Sequence, residues 1–94
     1  MRESIIEGKV SAYAKKLGWL TFKFSSPSFR GVPDRIFLKM GAVIFIEFKA
    51  TGKRPSALQA RIIGMIRRAG FAVYVVDNIE EGEEVFNFYN MKDY

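Results

Sequence analysis

Apolar side chains at Ile6, Val10, Tyr13, Ala14 and Leu17 recur with the spacing of one helix face, which predicts a helix over residues 3–17 stopped by Gly18. Glu7 lies at the border of that stripe and Glu3 nearer its middle, so both are placed to look toward a cleft. The period then shortens. Trp19 to Phe24 reads as a first strand, followed by a Ser/Pro loop that runs from Ser25 to Pro33. Arg35 to Lys39 is a second strand, and Met40-Gly41 a hairpin-like turn. The third strand, Ala42 to Lys49, opens with five uninterrupted apolar residues, the mark of burial on both faces and a central place in a sheet. After a loop over Thr51–Pro55, Ser56 opens a second helix with Leu58, Ile62, Met65, Ile66 and Ala69 on one face and Gly70 at its end. Phe71 to Val76 is a fourth strand. Ile79, Val85, Phe86 and Tyr89 then mark a short terminal helix in an acidic segment. The order αβββαβ is that of an α/β layer structure, with no internal repeat or low-complexity tract.

Composition narrows the chemistry. The 94 residues fit one domain, and the chain contains no His and no Cys. Those absences exclude a Ser-His-Asp triad, an imidazole base, a thiolate nucleophile and His- or Cys-ligated metal. Carboxylate, Lys, Tyr and hydroxyl chemistry remains. The formal charge is +5 but unevenly spread: residues 1–76 hold fourteen of the fifteen basic residues and four acids, a net +10. Asp77, Glu80, Glu81, Glu83, Glu84 and Asp93 crowd the remainder. A positive body of this kind favours a polyanionic partner, or is simply a solvated basic surface. Gly52-Lys53 is not a phosphate-binding loop, because the flanking Gly and Ser/Thr are missing. The nine Phe, four Tyr and one Trp read mainly as core, with Phe29 and Trp19 as candidate base-stacking exceptions.

Within the positive body a few carboxylates stand out. Glu47 and Lys49 share one face of the third strand, opposite Ile46 and Phe48. A surface ion pair would explain them, but a charged pair at the end of a buried strand is costly unless something compensates. Asp34 follows Gly31-Val32-Pro33 and leads into the strand that hairpins onto Glu47; alone it would be an ordinary Pro-Asp turn. Two converging carboxylates repel, so either one pKa rises or a hard cation such as Mg²⁺ or Mn²⁺ joins them. Such a cation acidifies water and takes up charge on a scissile phosphate, with Lys49 beside it and Glu7 as a possible third carboxylate.

Gly31-Val32-Pro33-Asp34 followed by Glu47-Phe48-Lys49 resembles the PD-(D/E)xK nuclease motif. In detail the chain resembles the virus-type replication-repair nuclease (VRR-NUC) domain over about residues 3–77: a helical Glu, the Gly-x-Pro-Asp turn, Glu-x-Lys, then a Ser-x-x-Gln helix start. The resemblance implies a restriction-endonuclease-like αβββαβ core with a mixed central sheet. It also implies Mg²⁺ or Mn²⁺ on Asp34, Glu47 and the Phe48 carbonyl, a catalytic Lys49, and an active-site role for Glu7, with Glu3 competing for that role. Gln59 matches a Gln the family places at the active site. It equally completes a capping box with Ser56, and both readings stay open. Residues 78–94 have no counterpart and read as an acidic extension of a single domain.

The activity so implied is metal-dependent hydrolysis of DNA phosphodiesters by an endodeoxyribonuclease, with Arg30, Lys53, Arg54 and Arg61, and also Arg67 and Arg68, on backbone phosphates. Small members of the family typify phage and form homodimers resembling Holliday junction resolvases. Branched DNA, a homodimer and the bacterial host cytoplasm are therefore the expected substrate, assembly and location. A nicking or flap endonuclease, or a non-catalytic nucleic-acid-binding module on the same fold, is the alternative.

Overall fold

The structure, a computed structural model, describes residues 1–91; Asp93 of the acidic segment therefore lies outside the described residues. The elements are α1 (Glu3–Lys16), β1 (Leu20–Lys23), β2 (Arg35–Lys39), β3 (Ala42–Phe48), α2 (Ala57–Arg68), β4 (Ala72–Val76) and α3 (Ile79–Met91). The strands form one sheet in the order β1-β2-β3-β4. β1, β2 and β3 pair antiparallel, whereas β4 pairs parallel to β3 after the α2 crossover, so the sheet is mixed and β3 is internal. Lys39 pairs with Ala42, leaving Met40 and Gly41 as a two-residue hairpin loop. Their φ values of 48° and 85° are both left-handed, the backbone that matches the twist of the flanking strands.

Alternation along β3 divides the molecule. Ile44, Ile46 and Phe48 point into the main core with Ile6, Val10 and Ala14 of α1, Trp19, Phe37, Val76 and Phe86 of α3. α1 and α3 pack on one another over this face. Phe86 is fully buried, its ring centroid 4.9 Å from Phe37 and 5.2 Å from Trp19. The expected core boundary near residue 77 is thereby moved: the acidic segment forms a thirteen-residue helix whose apolar side completes the core. Glu80, Glu81 and Glu84 are exposed on its outward side. Trp19 belongs to this core, so it is no stacking platform.

The opposite face carries Phe45 and α2, which packs on β4. Here the expected α2 face is only half covered: Ile62 and Ile63 are buried, while Leu58 and Met65 are 44% and 43% exposed. The reason is the reach of α2. It covers β4 and leaves β1 and β2 open, where the cross-strand rows Leu20–Leu38–Val43 and Phe22–Ile36–Phe45 form an apolar surface. Among the described residues no helix is long and apolar enough to cross a membrane.

Candidate active site at the end of the sheet

The last register pair of the β2–β3 hairpin is Arg35 with Ile46, and one further step sets Asp34 opposite Glu47. The chain stays in the ladder there, since the Phe24 N–H donates to the Asp34 carbonyl at 2.8 Å. Pro33 comes next, fully buried, and has no N–H to extend β2. The regular ladder ends there, and the next donor of β3, the Phe48 N–H, is satisfied by a side chain: Asp34 Oδ2 accepts it at 2.8 Å. Gly31 makes this arrangement possible. Its φ is +85°, and a Cβ would sit 3.2 Å from Leu58 Cγ and 3.4 Å from the Gln59 nitrogen, so the turn packs directly on the first turn of α2.

Glu47 is 2% exposed. Its Oε2 lies 3.3 Å from Lys49 Nζ, while its Oε1 is buried with no hydrogen-bond partner. Burial, and next the charge of Asp34, push its pKa up to about 7 against the opposing pull of Lys49. Asp34 is raised too, chiefly by burial; the Phe48 N–H opposes the rise, and the charge of Glu7 adds to it. Burial is thus the main cause at both carboxylates, and at Glu47 the charge of Asp34 adds to it.

No family model matches the chain. It is 39% identical over 79 residues to "Putative nuclease p44" of Acyrthosiphon pisum secondary endosymbiont phage 1, with 83% of this chain and 85% of that protein aligned. A solved structure described as a VRR_NUC domain superposes with a TM-score of 0.85 at 26% identity, covering 93% of this chain and 96% of the other. The chain belongs to the VRR-NUC nuclease family. The restriction-endonuclease-like fold expected from its motifs is the fold it has.

In this VRR-NUC domain the helical carboxylates divide their attention. The charge of Glu3 acts on Glu47 and that of Glu7 on Asp34, with Glu3 exposed and Glu7 half-buried on α1. Glu7 is itself engaged: its Oε2 accepts from Arg35 Nε at 2.8 Å and lies 3.5 Å from Lys23 Nζ. Among the described residues no group of three or more carboxylates is placed to hold a metal ion. Gln59 forms the capping box, its Oε1 accepting the Ser56 N–H at 2.9 Å and its own N–H donating to Ser56 Oγ at 3.1 Å.

The basic residues fall into different settings. Arg30, Lys53, Arg54 and Arg61 are exposed. Lys53 and Arg54 line a cleft of about 360 Å³, but Asp77 and Glu81 line it as well. Arg67 is spent within the fold, because its Nη2 and Nε donate to the Val73 carbonyl at 2.6 and 3.2 Å. The site residue that sequence reasoning missed is Arg35. The signal was available: strand alternation from Phe37 puts Arg35 on the core side, where a lone charge requires a partner.

Proposed function

We propose that this VRR-NUC domain is a metal-dependent endonuclease that hydrolyses phosphodiester bonds of branched DNA. One observation carries the reading: Asp34 and Glu47 face each other across the hairpin, with a buried Glu47 oxygen that has no partner and with Lys49 at its other oxygen. Two oxygen-donor side chains of excess negative charge suit Mg²⁺ or Mn²⁺. Asp34 and Glu47 would hold the ion with the Phe48 carbonyl, which leaves its strand on the same side as the N–H that Asp34 accepts. When bound, the ion supplies charge to the scissile phosphate and lowers the pKa of water. Glu7 is not counted among its ligands, because Arg35 already occupies its Oε2.

The chain's own groups divide the remaining work. Lys49, 16% exposed and tethered to Glu47, is positioned to orient the attacking water and to balance charge on the phosphate. Arg30, Lys53, Arg54 and Arg61 would hold the DNA backbone without reading sequence. Gln59 would act through the helix cap that supports the Gly31 turn. A homodimer, with two sites for paired cuts, is supported by the uncovered apolar face that includes Leu20 and Phe22, 54% and 52% exposed.

Labelled four-way junction, flap and linear duplex are incubated with Mg²⁺, Mn²⁺ or EDTA, using wild type, Asp34→Asn and Lys49→Ala. Junction cleavage requiring metal and lost in both variants is expected. Binding without product on every substrate would leave only a DNA-binding module, and equal cutting of linear duplex would remove the junction preference. Light scattering of wild type and Phe22→Asp tests the dimer.

A further inference from the structure

Next to the carboxylate pair stand two cations that the cleavage scheme does not use. Lys23 and Arg35 are register partners on β1 and β2, so their side chains share the face that α1 covers. Glu7 descends from α1 between them, taking Arg35 Nε at 2.8 Å and Lys23 Nζ at 3.5 Å on a single oxygen. The Arg35 and Glu7 side chains are 16% and 12% exposed, whereas Lys23 is 76% exposed. Arg35 uses only its Nε. Among the described residues its two terminal amino groups have no acceptor, and neither belongs to the buried polar atoms left without a partner, so they reach solvent.

A guanidinium fixed through Nε presents its terminal amino groups as a rigid fork, the geometry that fits two phosphate oxygens. One carboxylate between two cations lets both stand close together and leaves a net +1 beside the cutting site. Alternation turns Arg35 to the α1 face and Asp34 to the other, but both stand at the same end of β2 and the charge of Glu7 reaches Asp34, so an anion held here borders the carboxylate pair around the end of the sheet.

We propose that Arg35 and Lys23 form a clamp, oriented by Glu7, for a DNA backbone phosphate adjacent to the one cleaved. This rests on the nuclease reading. Glu7 is then a positioning residue acting through Arg35.

The test measures binding of a fluorescent four-way junction in Ca²⁺ across a salt series, for wild type, Lys23→Gln, Arg35→Gln, Arg35→Lys and Glu7→Gln. Lys16→Gln, exposed at the far end of α1, is the control. Lys23→Gln and Arg35→Gln should each weaken binding roughly tenfold. Each should also reduce the slope of log affinity against log salt by about 0.9. Arg35→Lys keeps the slope but loses affinity, and it serves in place of Arg35→Gln should that variant not fold. Mn²⁺ titration of the DNA-free protein should give wild-type affinity for Glu7→Gln and a large loss for Asp34→Asn. Wild-type affinity and slope in Lys23→Gln and Arg35→Lys overturn the clamp, and lost Mn²⁺ binding in Glu7→Gln overturns the positioning role. Absence of metal-dependent cleavage by wild type would instead overturn the nuclease reading.

Discussion

Burying Glu47 destabilises the metal-free protein in a pH-dependent way that can be measured. Its pKa rises to about 7 in the fold from 4.5 in a free chain, through burial first and the neighbouring Asp34 second. Between those two pH values the folded protein keeps a proton that the unfolded chain has released. The folded state binds more protons, so stability falls as pH rises through this window, and the loss is complete above about 7. At about 1.36 kcal/mol per pH unit the interval sets a ceiling of about 3 kcal/mol. The side chain is 3% exposed, so water screens little of this cost. For a domain of this size, half the ceiling corresponds to roughly 6–12 °C in Tm. Glu47→Gln keeps the shape and removes the ionisation. Thermal melts of both proteins at pH 5 and pH 8 in EDTA give the double difference. The variant should gain on wild type by several degrees as pH rises. An equal Tm difference at the two pH values would refute the claim that a buried carboxylate with one unpartnered oxygen is being forced to ionise. Adding Mg²⁺ or Mn²⁺ at pH 8 should stabilise wild type by about 2.7 kcal/mol at a hundredfold excess over Kd, and should leave Glu47→Gln unmoved.

Substitutions at three further positions probe the fold around the site. Gly82→Ala would bring a Cβ to 2.5 Å from Val10 Cγ2 and 3.1 Å from Val76 Cγ1, forcing α3 off α1. A loss of about 1–3 kcal/mol in urea unfolding is expected. Phe86→Ala should cost about 3–5 kcal/mol in the same assay, and a loss under 1 kcal/mol would show the acidic helix to be dispensable. Gln59→Glu keeps an acceptor for the Ser56 N–H and should preserve both melting temperature and cleavage. Gln59→Ala should lose about 1 kcal/mol of stability, and selective loss of cleavage in the Glu variant would give Gln59 a role beyond the cap.

Much of this protein is written in local pattern. Period and turn chemistry place six of the seven elements to within a residue or two and mark the seventh, because side-chain alternation and backbone φ are properties of neighbouring residues. The same alternation separates Ile46 and Phe48 from Glu47 and Lys49, and the tight Met40-Gly41 loop sets the register that brings residue 34 to residue 47. Pattern could not tell what would cover each apolar face. The terminal helix after Val76 was legible, but its place in the core was not: Phe86 is fully buried against Phe37 and Trp19, partners far away in the chain. Along α2 the apolar stripe is wider than the strand beneath it, and only packing reveals that half remains open. The Glu7–Arg35 pair joins residues 28 apart in the chain. No local rule connects them; α1 lands there because Ile6, Val10 and Ala14 must bury against β3, and Glu7 is carried to Arg35 by that larger free energy of apolar contact.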